Sequence, residues 1–199
     1  MVFSCQGHNE KYSGIIINNQ ITDTVLVPKD SNHLYFPLKN SRDISNSSRL
    51  DSFTDRWYSQ QLFAMREPVI YLNKSDKELY RFTWLRTFDN PIAIRIENKD
   101  DSYFLYWKQC NGAGGYEPGK LIVNKQRKID KKIWNKFKKY INKIDFWDLK
   151  TDVNESGCDG SQWILEGKNS IGVSAVCQAH HSLARFLSGD REASTKSPT

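Results

Sequence analysis

Three strand-like segments follow one another in the middle of this chain, and they constrain its fold more than any other feature. They are Leu79–Phe88, Ile92–Ile96 and Tyr103–Gln109, and they are rich in aromatic and β-branched residues. In the second segment isoleucines alternate with alanine and arginine, and this period of two predicts one buried face, the isoleucine face, and one face in water. Residues 98–102 form a polar connection of hairpin length, which predicts that the last two segments are antiparallel neighbours.

Two helices are predicted beside these strands. The first begins near Asp51 or Ser52 and runs towards Arg66, and Pro68 follows it. The second spans Asp130–Asp145 and has an amphipathic pattern. Its apolar positions, which recur every three or four residues, are Ile133, Phe137, Tyr140, Ile141 and Ile144. Further short strands are predicted at Val69–Leu72, Lys120–Asn124, Ser161–Glu166 and Ile171–Val176.

These elements predict a single α+β domain over residues 14–188. Its antiparallel sheet extends from about Val69 to Glu166, and the second helix covers one face of that sheet. Residues 1–13 are expected to be a tether or a signal remnant, and residues 189–199 a disordered tail. A chain of 199 residues with 38% hydrophobic content can bury one sizeable core, which supports a single domain.

Charge is concentrated in one segment of the chain. Lys120–Lys143 contains nine lysines and Arg127 against the single acid Asp130, a local charge of +9. Because the whole chain has a net charge of +6, the remainder carries −3. The basic character therefore belongs to one face of the domain, which argues against a general nucleic-acid-binding protein. The sequence has no apolar run of about 18 residues, the length that would predict a membrane-spanning helix.

The glycine-rich segment Cys110–Lys120 has the spacing of a phosphate-binding loop, because four residues separate Gly114 from Gly119 and lysine follows. Leu121 stands where such a loop needs Ser or Thr, and Glu117 places a carboxylate where phosphate oxygens would bind. The chain then continues as a strand, so the helix N-terminus that would hold the anion is missing. The segment is predicted to be a structural turn with positive φ at one of three positions, Gly112, Gly114 or Gly115.

The basic helix supplies the main candidate interaction surface. Its lysines form a stripe beside the apolar one, and they are Lys132, Lys136, Lys139 and Lys143. An acidic protein or an anionic surface is the predicted partner, and a simply solvated lysine face is the structural alternative. Nucleic acid is disfavoured because the aromatic residues of this helix, Trp134, Phe137 and Tyr140, are assigned to the core and cannot stack on bases. In the glycine loop, Tyr116 and Glu117 are the candidate recognition residues.

No arrangement of residues predicts a catalytic, cofactor or metal site. The four histidines lie in predicted loop, edge or terminal segments, away from any catalytic signature. The leading hypothesis is therefore a non-enzymatic binding or interaction protein. The alternative is a hydrolase-like enzyme whose site lies where the glycine loop meets the turn at Asp159, with Arg86 and Glu117. Glu166, seven residues after Asp159, is expected to be solvated or to pair with an arginine of a neighbouring strand, Arg81, Arg86 or Arg95.

The four cysteines show no CxxC pair, so no zinc site is predicted. Cys110 and Cys158 could pair if the protein is exported, and free thiols are the other reading. The first residues, MVFSC, resemble the end of a bacterial lipoprotein signal at Cys5, although four residues cannot hold a signal peptide. If translation starts upstream, Cys5 is expected to be lipidated and the protein to face the cell envelope; otherwise a cytoplasmic protein is expected.

Four sequence blocks resemble recurring blocks of a family of small uncharacterised bacterial proteins, several of which have lipoprotein-type signals. The blocks are YRFTWLRTF, NPIAIRIE, GAGGYEPGKL and DGxxWILEG. The resemblance covers residues 57–167 and implies no activity, cofactor or catalytic residue. After Gly167 this chain departs from the family pattern, which suggests a divergent or frameshifted ending. On the frameshift hypothesis the last strand of the family is lost and a sheet edge is exposed.

Overall fold

The computed structural model describes residues 12–13, 27–36, 52–73, 75, 77–149, 152–153 and 160–179. Residues 12–13, 152–153 and 174–179 are described by their backbone alone. Several predictions lie outside the described residues: the N-terminal tether, lipidation at Cys5, the roles of Cys158 and Asp159, and the C-terminal tail.

Within the described residues, the main sheet has seven strands in the order β6-β5-β4-β3-β8-β9-β7. Neighbouring strands are antiparallel except for the short β7, which is parallel to β9, and β1 and β2 form a separate pair. The elements in chain order are β1 (Tyr12–Ser13), β2 (Val27–Pro28), α1 (Ser52–Ala64), β3 (Leu79–Arg86), β4 (Ile92–Lys99), β5 (Ser102–Cys110), β6 (Leu121–Ile129), α2 (Lys131–Lys143), a 3-10 helix (Phe146–Asp148), β7 (Asp152–Val153), β8 (Ser161–Lys168) and β9 (Val173–Ala179). The architecture is α+β, which confirms the predicted class.

Strand β3 is the centre of the sheet, because β4 pairs with one of its edges and β8 with the other. The prediction of a strand at Val69–Leu72 is wrong: the segment forms bends and turns, and Val69 packs in a buried cluster with strand residues. Strand β6 is an edge strand and is longer than predicted. Its residues Lys125–Lys128 are all exposed, and a charged edge of this kind resists pairing with another chain.

Helix α1 packs on one side of the sheet, which we call the α1 side. Tyr58 and Leu62 of α1 belong to the same buried cluster as the strand residues Leu85, Ala93 and Ile164. The helix ends in a Schellman-type turn, since Glu67 N–H donates to the Leu62 carbonyl and Arg66 N–H to the Phe63 carbonyl. Arg66 has a φ of 52°, the left-handed conformation that this turn requires.

Helix α2 packs on the opposite side, which we call the α2 side. Its side chains Trp134 and Ile141 join a buried cluster with Tyr80, Ile96 and Phe146. The predicted apolar stripe is partly wrong, because Ile133 and Tyr140 are 45% and 56% exposed. The inward stripe is instead the set Trp134, Phe137, Ile141 and Ile144. Trp134 stacks on Tyr103 with ring centroids 5.3 Å apart. Because Trp134 faces the sheet, the stripe of α2 that packs inward differs from the predicted one.

A helix packs on each side of the sheet, so the prediction that the isoleucines of β4 mark the only buried face is wrong. Ala93 and Arg95 are buried on the α1 side, whereas Ile94 on the α2 side is 38% exposed. Ile96 is buried because it lies under α2. Ile94 is exposed because α2 covers only one end of this side of the sheet, beside Tyr80 and Tyr103, and does not reach Ile94.

The glycine loop docks on the turn that connects β3 to β4. Gly114 N–H donates to the Asp89 carbonyl at 2.9 Å, and Gly115 N–H donates to the Thr87 carbonyl at 3.2 Å. A Cβ atom at Gly114 would lie 2.7 Å from the Arg86 carbonyl oxygen, so only glycine fits there. The predicted positive φ at Gly112, Gly114 or Gly115 is wrong; positive φ occurs at Gly119, with a value of 73°. The first three glycines are required by close approach, because a Cβ at each would lie under 3.0 Å from backbone atoms.

Candidate functional site

The outer face of α2 is a strongly basic surface. All four predicted lysines, Lys132, Lys136, Lys139 and Lys143, are exposed. Ile133 and Tyr140 lie among them and are also exposed. We call these six residues the α2 outer face. Strand β6, which leads directly into α2, adds three more exposed cations, Lys125, Arg127 and Lys128.

The lysines of the α2 outer face have no counter-charge within the described part of the chain, where none of the four forms an ion pair. Lys138, on the same helix, behaves differently. Its Nζ pairs with Glu78 and lies 5.2 Å from the centre of the Tyr80 ring. Lys138 therefore holds α2 against the sheet, whereas the four outer lysines form no ion pair with any described residue.

The candidate recognition residues of the glycine loop are both exposed. The Tyr116 ring contacts Phe88 with centroids 6.0 Å apart, and its carbonyl accepts a hydrogen bond from Gln61 Nε2 at 2.7 Å. Glu117 Oε2 accepts a hydrogen bond from Gln60 Nε2 at 3.3 Å. Because both glutamines lie on α1, the loop is attached to that helix, and Tyr116 and Glu117 lie apart from the α2 outer face.

The alternative enzyme site required Arg86, Glu117 and Asp159 to come together. Asp159 lies outside the described residues, so the complete set stays a prediction. Arg86 lies over the Trp84 ring at 4.5 Å on the α2 side and pairs with Asp89 at 3.3 Å. Glu117 contacts Gln60 of α1, the helix on the other side of the sheet. Arg86 and Glu117 thus contact different residues.

A buried ion network on the α1 side was missed by the sequence reasoning. Its centre is Glu67, the residue that the turn after α1 places against the sheet. Glu67 pairs with Lys108 Nζ at 3.0 Å, Arg95 Nε at 3.1 Å and Arg81 Nη1 at 3.5 Å. All four side chains are at most 6% exposed. One carboxylate therefore holds three cations that come from three adjacent strands.

Glu166 completes the network from the neighbouring strand β8. Arg81 donates from Nε and Nη2 to the two carboxylate oxygens of Glu166, both at 2.7 Å, in a bidentate pair. Glu166, Arg81 and Arg95 are direct cross-strand neighbours. Arg95 also pairs with Glu97, so three cations meet three carboxylates. The pairing of Glu166 with Arg81 was one of the predicted alternatives and is confirmed, and its predicted exposure to solvent is wrong.

The protonation states follow from burial and from these contacts. Burial alone would raise the pKa of Glu67, but Arg95, Lys108 and Arg81 outweigh it and lower that pKa to about 2. Burial lowers the pKa of Lys108, and Glu67 opposes this shift. Burial raises the pKa of Glu166, and the contact with Arg81 opposes that rise. Glu67 is thus held ionised in a site that water does not reach, as expected for a structural ion network.

Backbone carbonyls accept further hydrogen bonds from the cations of the network and from Tyr35. Arg81 Nη1 donates to the Pro68 carbonyl at 2.6 Å, and Lys108 Nζ donates to the Arg66 carbonyl at 2.5 Å. The Tyr35 hydroxyl donates to the Glu67 carbonyl at 2.8 Å. The network therefore fixes the whole turn after α1, and its carboxylates are engaged inside the fold.

Several other features complete the description. Cys110 is a buried free thiol, and burial raises its pKa to about 11. In the described residues, no group of three or more His, Cys, Asp or Glu side chains is arranged to hold a metal ion. No helix in the described part of the chain is long and apolar enough to cross a membrane.

The fold and this surface define a class: an α+β domain with a seven-stranded sheet, a buried ion network and an exposed cationic helix face. Comparison of the sequence with models of known families and with curated proteins found no match. The resemblance to a bacterial family therefore stays a prediction.

Proposed function

We propose that this domain is a non-enzymatic binding protein that recognises an acidic protein partner through the α2 outer face. The observation that carries the proposal is the set of four exposed lysines without counter-charges in the described part of the chain. Unpaired cations on one helix raise the local concentration of an acidic partner and speed its association.

Two further observations support a binding role. Ile133 and Tyr140 are exposed between the lysines, and side chains of this kind supply contact area at the centre of protein interfaces. In the ion network, Glu67, Glu97 and Glu166 are all engaged with cations inside the fold. Those carboxylates therefore act in stability, and the chemistry at the surface is that of charge recognition.

The test compares two variants with the same loss of charge. In the first, Lys132, Lys136, Lys139 and Lys143 are changed to Gln. In the matched control, four exposed cations elsewhere are changed to Gln, namely Lys29, Arg56, Arg66 and Lys120. Binding of fluorescent poly-L-glutamate at physiological salt is measured by anisotropy. We expect roughly a tenfold or greater loss of affinity in the first variant and less than about a threefold loss in the control.

Equal losses in the two variants would show that only net charge matters, and the proposal would then be wrong. Vesicles that contain phosphatidylserine provide a second arm of the same experiment. If the vesicles bind through the four lysines and poly-L-glutamate does not, the partner is an anionic lipid surface and the acidic protein is rejected.

A further inference from the structure

Among the residues that the structure describes, helix α2 covers only one end of its side of the sheet. Beyond that end lie five apolar side chains on β3, β4, β5 and β8, and we call them the apolar strip: Phe82, Trp84, Ile94, Trp107 and Trp163. Phe82, Ile94 and Trp107 are direct neighbours across three strands, and Trp84 lies opposite Trp163. Ile94 is 38% and Trp107 45% exposed, and the other three side chains are half-buried.

The rim of the apolar strip is basic. Lys125 of β6 lies directly opposite Trp107, and Arg127 follows two residues later on the same side of the sheet. At the other end, the Arg86 guanidinium lies over Trp84 and is paired with Asp89, so the unpaired cations of the rim among the described residues are Lys125 and Arg127. Among the described residues of β3, β4, β5, β6 and β8, no acidic side chain belongs to the α2 side, because every acid of these strands alternates to the α1 side.

We propose that the apolar strip is the docking site for an amphipathic helix of the partner protein, with acidic residues along its flanks. This inference rests on the proposed function and names the element that the acidic partner supplies. A sheet side is stably covered by a layer of helices, and among the described residues α2 supplies only part of that layer. A second helix beside α2 would bury its apolar face on Ile94 and Trp107, and its acids would meet Lys125 and Arg127.

Charge argues against a second copy of this chain as the occupant. A symmetric pair that met through the apolar strip would place the basic rim of one copy near the basic rim of the other, which is unfavourable. Ring geometry argues against single-stranded nucleic acid, which needs open ring faces. Trp163 packs at 71° against Phe82 with centroids 5.0 Å apart, and Arg86 covers a face of Trp84. Trp107 is the ring in this strip that stays largely open.

The test uses an 18-residue synthetic helix with leucines on one face and glutamates on the others. Two matched peptides replace the leucines by serine or the glutamates by lysine. Affinities are measured for the wild-type protein, for the double variant Ile94→Ser and Trp107→Ser, and for a control with Phe88→Ser and Ile171→Ser. Phe88 and Ile171 are exposed apolar residues outside the strip. Far-UV circular dichroism verifies that each variant is folded.

We expect the leucine and glutamate peptide to bind best, and the Ile94 and Trp107 variant to lose roughly tenfold or more in affinity while the control loses less than about threefold. The same variant should bind poly-L-glutamate as the wild type does, because its lysines are intact. This comparison separates a failure of the present inference from a failure of the proposed function. A charge reversal at two exposed positions, Lys125→Glu and Arg127→Glu, should shift preference to the peptide with lysine flanks.

Three results would overturn the proposal. The first is equal peptide affinity in the strip variant and the control. The second is tighter binding of a (dT)20 oligonucleotide than of the peptide, lost with Ile94 and Trp107, which would assign the strip to nucleic acid. The third is self-association of the wild-type protein that the same two substitutions abolish, which would assign it to a second copy. If the strip variant does not fold, the charge-reversal variant decides, because an unchanged peptide preference would reject the proposal.

Discussion

Substitution of Glu67 by Gln should be among the most destabilising conservative changes in this domain. The Gln side chain keeps the shape of Glu67 but removes the charge that faces Arg81, Arg95 and Lys108. Three buried cations would then face only two carboxylates, Glu97 and Glu166, and removal of one partner from a buried ion network costs about 3–5 kcal/mol.

The lowered pKa of Glu67 gives an independent estimate of the same quantity. The pKa is about 2 in the folded protein against an ordinary value of 4.5. A difference of this size corresponds to about 3 kcal/mol of stability. Because the folded pKa is depressed, this stability is fully present above pH 4.5 and is lost as the pH falls towards 2. Protonated Glu67 carries the same charge as Gln, so the difference between wild type and variant should shrink over that range.

The assay is equilibrium unfolding in urea, which does not screen charges, at several pH values between 7 and 3. The control is Glu117→Gln, the same chemical change at an exposed residue, which should alter the free energy of unfolding by less than about 0.5 kcal/mol. A cost of less than about 1 kcal/mol for Glu67→Gln at pH 7, or a cost that does not fall as the pH is lowered, would show that the charge of Glu67 does not stabilise the fold.

Two further predictions concern the glycine loop and its neighbouring cysteine. Gly114→Ala should destabilise the domain by roughly 1–3 kcal/mol, because the added methyl group meets the backbone of Arg86. Gly160→Ala is the control and should be nearly neutral in the same urea assay, because no atom of the described residues lies within 4 Å of the added methyl group. Cys110 should resist iodoacetamide at pH 8 in the native protein, since it is buried and its pKa is raised to about 11, and it should react after unfolding; mass-spectrometric detection of rapid native labelling at Cys110 would contradict its burial.

The secondary structure around β3, β4 and β5 could be predicted because its signals are local. Alternation, hairpin-length connections and the N-terminal residues of α1 all lie within a few positions of the elements they specify. The buried side of β4 could not be predicted in this way. A local pattern that alternates Ile with Arg assigns Ile to the core, but Arg95 is buried because Glu67, 28 residues away, neutralises it.

The candidate site, like the fold, could be predicted only in part from the sequence. The lysines of the α2 outer face were identified from sequence, since a helical stripe is visible in one segment. The exposure of Ile133 and Tyr140 was missed because Trp134 determines which stripe faces the sheet. The apolar strip was missed because its members come from four strands and meet only through the cross-strand register. One signal was present in the sequence: Arg81 of β3 and Arg95 of β4 have the odd parity of the apolar residues Leu79, Leu85 and Ala93, whereas Arg86 has the even parity of Phe82 and Trp84.

The most direct test of the central claim, that the α2 outer face is the binding surface, is to map the bound probe residue by residue. Isotope-labelled protein is titrated with poly-L-glutamate at physiological salt, and amide chemical shifts are followed by NMR. We expect the largest shifts in Lys131–Lys143 and smaller ones at Lys125–Lys128 of the adjoining strand. Shifts of similar size at the other exposed cations, Lys29, Arg56, Arg66 and Lys120, would contradict it.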